Sequence, residues 1–257
     1  MLKSFVKSIF RLMGLEVYRR TSSFPDNPFD AQKMLLEGMG IRRPVIFDLG
    51  GHRGETIKQY RARFADALVY CFEPFPDSLA SLNKNFRDDS KTRIIPLAVA
   101  DQSGQRTLYI NEIGATNSLL PAATTSRRYL PGKGETKASI QVNATSIDEF
   151  MENHRVGAIH ILKMDIQGGE LSALKGAEIA FKENQIPIVY TEVMFVPHYE
   201  NQPLLNDIWD FLARFGYTLF DIYYLQRANN GQLRYADALF VSADVRKSVI
   251  DTHLEES

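Results

Sequence analysis

From residue 44 onward, short apolar runs alternate with longer stretches of helical period. VIFDLG (45–50) precedes a helical pattern over 55–65, and LVYCFE (68–73) precedes another over 78–86, after which comes RIIPLAVA (93–100). Further on lie a short helix over 147–152, the strand IHILKMD (159–165), a helix over 171–183, the strand IPIVYTEV (186–193) and a helix over 204–215. Such alternation requires right-handed βαβ crossovers, so it predicts a mainly parallel sheet covered on both faces. The last two runs, YTLFDIYY (217–224) and DALFVSA (237–243), flank the turn-rich RANNGQ and read as a terminal antiparallel hairpin. There is no internal repeat.

Composition narrows the class. A length of 257 residues suits one domain with an appendage, here residues 1–30 followed by a domain over 31–257. Thirty Lys and Arg against 31 Asp and Glu leave a formal charge of −1, which argues against a broad nucleic-acid surface. The single cysteine, Cys71, excludes an intrachain disulfide framework and cannot alone form a thiolate metal site. No apolar run approaches the roughly 20 residues needed to span a bilayer. A reducing, cytoplasmic compartment fits best.

In residues 1–20, Leu2, Phe5, Val6, Ile9, Phe10 and Met13 recur at helical spacing with Lys3, Lys7 and Arg11 between them. This basic amphipathic helix can lie on an anionic membrane surface or pack on its own domain, and the second is the commoner case. Charges interrupt its apolar stretch and no small-residue cleavage site follows, so it is not a good signal peptide. TSSFPDNPFD (21–30) reads as a linker.

The first strand runs into Asp48-Leu-Gly50-Gly51-His-Arg-Gly54-Glu55. In open α/β sheets, ligands bind beyond the carboxyl ends of the strands, at the first strand-to-helix turn. Leu49 replaces the first glycine of a dinucleotide fingerprint, which disfavours a nucleotide dehydrogenase. Asp48 would repel a pyrophosphate and suit a cationic ligand. The second strand ends at Glu73, placed to accept hydrogen bonds from ribose hydroxyls. Pro74 and Pro76 stop that strand, with Asp77 as candidate N-cap of the next helix.

FDLGGHRGET, CFEPFPDSLASLNKNF, AVADQSGQRTLY, TSIDEF and LKMDIQGGELSALKGA, in this order over residues 45–195, resemble the FkbM-type S-adenosylmethionine-dependent methyltransferases. The resemblance implies a Rossmann-like, seven-stranded class I methyltransferase sheet, S-adenosylmethionine as cofactor, and transfer to a hydroxyl of a sugar-containing or natural-product acceptor. It also implies that Asp48 and the Gly50-Gly51 backbone hold the methionine part, with Gly54 beside them in the cofactor-binding turn, Glu73 the ribose, and Ala100 and Asp101 the adenine. His52 departs from the small or amide residue usual in that turn.

The strand at 160–165 delivers Lys163, Asp165, Gln167 and Glu170 to the ligand edge or the turn beyond. A hydroxyl acceptor must lose its proton, and Asp165, Glu192 and His198 are the candidate bases, Asp165 foremost. Lys163 can neutralise the neighbouring acids, and Glu170 can stabilise its helix dipole. Two carboxylates plus His198 do not have a diagnostic metal spacing, so no metal is assigned. Acceptor contacts are expected from two irregular regions. Residues 111–139 contribute Asn117, Ser118, Arg127, Arg128 and Tyr129, and 195–202 (FVPHYENQ) contributes Tyr199, with Lys163, Gln167 and Glu170 beside them. The alternatives are methylation of a nitrogen nucleophile and a cofactor-binding module without catalysis.

Overall fold

A computed structural model describes residues 25–123 and 136–252. The amphipathic stretch 1–20, together with Arg127, Arg128 and Tyr129, lies outside the described residues. The first helix among the described residues, α1 (Pro28–Gly38), begins inside the segment read as linker. Asn27 caps it, its side-chain oxygen accepting from the amides of Phe29 (2.9 Å) and Asp30 (3.3 Å), while Pro28 sits in the first turn where its missing N–H costs nothing. Then follow β1 (Val45–Leu49), α2 (Glu55–Arg63), β2 (Leu68–Phe72), α3 (Pro76–Asn85) and β3 (Thr92–Ile95). Phe75, not Asp77, takes the N-cap position of α3, because Pro76 already occupies its first turn.

The segment RIIPLAVA does not form one strand. Pro96 interrupts it, and β4 (Ala98–Val99) joins a separate three-stranded sheet with β5 (Gly104–Asn111) and β6 (Thr136–Thr145), in the order β4-β6-β5. Residues 136–139, expected within an irregular region, are therefore strand. Their polar sequence carries no period-two apolar signal, and backbone pairing with β5 decides the outcome. The chain continues through α4 (Ile147–His154), β7 (Ile161–Met164), α5 (Glu170–Lys175) and α6 (Glu178–Lys182). The helix expected over 171–183 is thus two. Gly176 ends the first, and a Cβ there would stand 2.3 Å from the Ala100 carbonyl oxygen.

β8 (Ile188–Met194), α7 (Leu205–Ala213), β9 (Thr218–Arg227) and β10 (Leu233–Val241) complete a main sheet of order β3-β2-β1-β7-β8-β10-β9. Only β10 runs antiparallel to its neighbours, forming the expected terminal hairpin with β9. Each face of this sheet builds a core. Phe47, Leu49, Phe72 and Leu162 pack against Phe150, Phe181 and Phe211 on one side. Ile46, Cys71, Ile161 and Ile188 pack against Leu35 and Leu36 of α1 and Ile57 of α2 on the other.

Strand alternation then places the polar residues. Asp48 shares the α1/α2 face with Ile46, Lys163 with Ile161, and Glu192 with Ile188. Strand register puts Asp48 opposite Lys163, Lys163 opposite Tyr190, and Glu192 opposite Asp237. A polar row therefore crosses the sheet on that face, where the strands end.

Candidate active site

The turn after β1 is shaped by close packing. Gly50 and Gly51 donate their amides to the Phe72 carbonyl at 3.0 and 3.2 Å, which draws the turn against β2. Gly50 has φ +86°, and a Cβ on it would stand 1.9 Å from the Asp165 carbonyl oxygen. A Gly50→Ala chain is expected to lose about 1–3 kcal/mol of unfolding free energy in urea titration, because neither strand can retreat from a backbone oxygen. Gly54, also expected at the cofactor, lies instead against Phe86, whose ring a Cβ would meet at 2.1 Å. His52 takes a left-handed φ of 45° and donates its amide to Glu73 Oε2 at 2.8 Å.

Above this turn opens a cavity of about 220 Å³. Leu49, Phe72, Leu97, Val99 and Leu108 supply its hydrocarbon wall, while Glu55, Glu73 and Asp165 bring carboxyls to it. Glu73 is held by two amides, from His52 and from Phe75 (2.9 Å). Burial raises its pKa and these N–H bonds partly oppose the rise.

Three further expected cofactor contacts lie elsewhere. Asp48 does not line the cavity. It is fully buried beneath the turn, 3.1 Å from Lys163 Nζ, so its charge serves an internal ion pair. Burial disfavours the Lys163 charge, but Asp48 and Asp165 outweigh it and hold the ammonium more firmly protonated than usual. Ala100 is buried behind the cavity, and Asp101 is exposed, with its amide and carboxylate engaged by Ser172 Oγ. The departure of β4 into the second sheet carries both away, and Leu97 and Val99 line the wall in their place.

Asp165, Gln167 and Glu192 converge as one network. Gln167 Nε2 donates to Asp165 Oδ1 at 2.8 Å and to Glu192 Oε2 at 2.9 Å. Its Oε1 lies 2.9 Å from the Tyr199 hydroxyl, which also stands 2.8 Å from the Thr116 carbonyl. Ser118 Oγ donates to the Gln167 carbonyl at 2.6 Å, and Asn117 Oδ1 accepts from the Asn111 amide at 2.9 Å. Gln167, Tyr199, Asn117 and Ser118, expected to bind acceptor, are therefore engaged in shaping the wall. Burial, then Asp165 and Glu170, raise the pKa of Glu192.

Glu170 is not an acceptor contact. Its two oxygens accept from the amides of Ile166 and Gly168, each at 2.9 Å, and so clamp the turn that carries Gln167. Burial pushes its pKa up to about 7 from 4.5, against those amides. The folded state thus binds this proton more tightly than the unfolded chain. Its contribution is full below about pH 4.5 and is lost as pH rises through about 7. Urea titrations across this window should show stability falling by on the order of 1–3 kcal/mol, a slope that Glu170→Gln removes.

His198 is also misplaced by the sequence reading. Its segment folds under residues 121–123, with the Ala123 amide on the His198 carbonyl at 3.1 Å, and its ring packs against Tyr235. Burial and the nearby Arg234 lower its pKa to about 4. It reaches neither the cavity above the glycine turn nor the neighbouring one described below. Conversely, Glu55, Thr56, Tyr190, Tyr224 and Asp237 stand at these cavities without having been expected there. Only the period-two position of Asp237 within YADALFV, an acid on a core-facing register, carried a signal.

A seven-stranded sheet reversed only at β10, a cavity over the ends of β1 and β2 that combines a hydrocarbon wall with three carboxyls, and a methyltransferase family match over most of its length make this chain an S-adenosylmethionine-dependent methyltransferase. It belongs to the FkbM family: the profile of the methyltransferase FkbM domain matches residues 48–219. The chain is 24% identical over 198 residues to the 2-O-methyltransferase NoeI of Sinorhizobium fredii, across 74% of this chain and 80% of that protein. It is 29% identical over 162 residues to the hexuronic acid methyltransferase AglP of Haloferax volcanii, across 62% of this chain and 60% of the relative. Among solved structures, an rRNA methylase from Streptococcus thermophilus aligns with a TM-score of 0.47 at 10% identity, over 86% of this chain and 99% of that one. At that distance nothing about acceptors carries over.

The lining fits the cofactor's chemistry. Hydrocarbon suits a purine, Glu73 can take ribose hydroxyls, and the carboxyl of Glu55 suits the cofactor's cationic end. Among the described residues no helix is long and apolar enough to cross a membrane.

Proposed function

We propose that the chain methylates a hydroxyl oxygen of a sugar-containing or natural-product acceptor. The observation that carries this reading is Asp165, a carboxylate on the cavity wall whose Oδ1 is fixed by Gln167. When bound, the cofactor supplies a methyl group already activated on sulfur. The residues then need only bind, orient and accept one proton. Glu73 holds the ribose, and the apolar wall at Leu97 and Val99 holds the base. The glycine turn presents backbone to the methionine part, the Cβ positions of Gly50 and Gly51 being filled by Asp165 and Cys71 of the protein itself. Asp165 Oδ2 takes the acceptor proton, a contribution of about 10²–10⁴-fold.

Gln167 is a positioning residue in this reading. Donating to both carboxylates, it keeps Asp165 and Glu192 from drifting apart or turning away. The name of the bacterial relative, a 2-O-methyltransferase, supports transfer to oxygen, and that of the archaeal relative, a hexuronic acid methyltransferase, supports a sugar acceptor. The test is transfer of a labelled methyl group from S-adenosylmethionine onto fractionated cell extract, followed by mass spectrometry of the product. A methyl ether on a hydroxyl is the expected product. Label on nitrogen, or cofactor binding with no product in any fraction, would overturn the reading.

A further inference from the structure

A second cavity, of about 210 Å³, opens on the α1/α2 face and shares Glu55, Thr56, Lys163 and Asp165 with the cofactor cavity. Asp165 thus stands on the partition between the two. Elements far apart in sequence build the remaining walls: Phe29 from α1, Tyr190 and Glu192 from β8, Tyr224 from β9 and Asp237 from β10.

The charge of this lining is one-sided. Glu55, Asp165, Glu192 and Asp237 contribute four carboxyls, whereas Lys163 is the one lining cation among the described residues. That ammonium is committed to Asp48, 3.1 Å away. Arg63 lies over the Phe29 ring at 5.6 Å, yet its Nε is tied to Asp30 at 2.7 Å. No lining cation is left to balance an incoming carboxylate, which meets like charge here even though burial favours the protonated form of Glu192.

Hydroxyl groups meet the opposite situation, since carboxylate oxygens are strong acceptors for them. Besides Asp165, whose Oδ1 accepts from Gln167, two of the acids are already oriented. Asp237 Oδ2 accepts from the Tyr190 hydroxyl at 2.5 Å, and Glu192 Oε2 accepts from Gln167 at 2.9 Å. An aromatic wall completes the site. Tyr224 is 53% exposed and takes a left-handed φ of 52°, an uncommon backbone state for a bulky side chain. Such a ring offers a face to the C–H side of a sugar, opposite acids that take its hydroxyls.

We propose that this second cavity is the acceptor subsite and that it admits a polyhydroxylated ring carrying no carboxylate. The inference rests on the hydroxyl-methylation reading and narrows it. Hexuronic acids, named for the archaeal relative, are excluded here by the lining of the cavity.

The test uses the full chain saturated with S-adenosylhomocysteine and two probes that differ by one carboxylate, methyl glucoside and methyl glucuronide. Each is titrated in solution and soaked into crystals. The glucoside is expected between Tyr224 and Asp237, bound at least about tenfold more tightly than the glucuronide. Asp237→Asn should shrink that ratio, because one repelling charge is gone. Tyr224→Ala should weaken the glucoside about tenfold while leaving S-adenosylhomocysteine affinity unchanged. Equal or tighter glucuronide binding, a ring seated elsewhere, or neither ring entering the loaded protein would overturn the proposal. The extract experiment separates the two levels. An O-methylated uronate would leave hydroxyl transfer standing and sink this inference, whereas N-methylation would sink the reading beneath it.

Discussion

Asp165→Asn is expected to lower kcat by about 10²–10⁴-fold with the extract-derived acceptor while leaving S-adenosylhomocysteine affinity within about threefold of the parent. The substitution keeps volume and keeps an oxygen for the Gln167 amide, so the network through Glu192 and Tyr199 survives. What disappears is the capacity to accept a proton on the partition between the two cavities. Steady-state kinetics with labelled cofactor provides the measurement. Full turnover in the asparagine chain would remove Asp165 from the reaction and leave proton loss to solvent.

Glu73→Ala is expected to weaken S-adenosylhomocysteine binding by more than about 100-fold in calorimetry. Two effects combine. A carboxylate accepting ribose hydroxyls supplies charge-assisted hydrogen bonds worth about 1.5–3 kcal/mol each. The same carboxylate fixes the amides of His52 and Phe75, so its loss also frees the left-handed turn at His52. Glu73→Gln separates the two contributions. The amide oxygen can keep one of these bonds and loses the charge, so an intermediate affinity is expected. An alanine chain that binds as tightly as the parent would show that the ribose is held elsewhere.

The residues behind both expectations were visible in sequence. Glu73 ends an apolar strand and is followed at once by Pro74, so its place at a strand tip follows from local chemistry. Asp165 likewise ends IHILKMD, two residues beyond Lys163 and hence on the same face. Alternating apolar runs fixed the seven strands of the main sheet and the reversed hairpin, because burial on both faces leaves few ways to order such a chain. The three-stranded sheet stayed hidden. β6 alternates, with Ala138, Ile140, Val142 and Ala144 on one face, but its polar start lies in a region rich in turn formers, and its pairing with β5 and β4 sets its extent.

The same division runs through the site. The amino-acid sequence by itself determined the main sheet, the glycine turn and the acids at the tips of β2 and β7, since strand period and chain-terminating residues act over a few positions. Only the tertiary structure decided that Asp48 is spent on Lys163, that Glu170 clamps a turn, and that His198 is folded away from both cavities. It alone brought Asp237 opposite Glu192 and Tyr224 to the same cavity. The physical reason is that a side chain's charge and partners are set by whatever packs against it in space, and for Asp48, His198 and Asp237 those partners lie tens of residues distant along the chain.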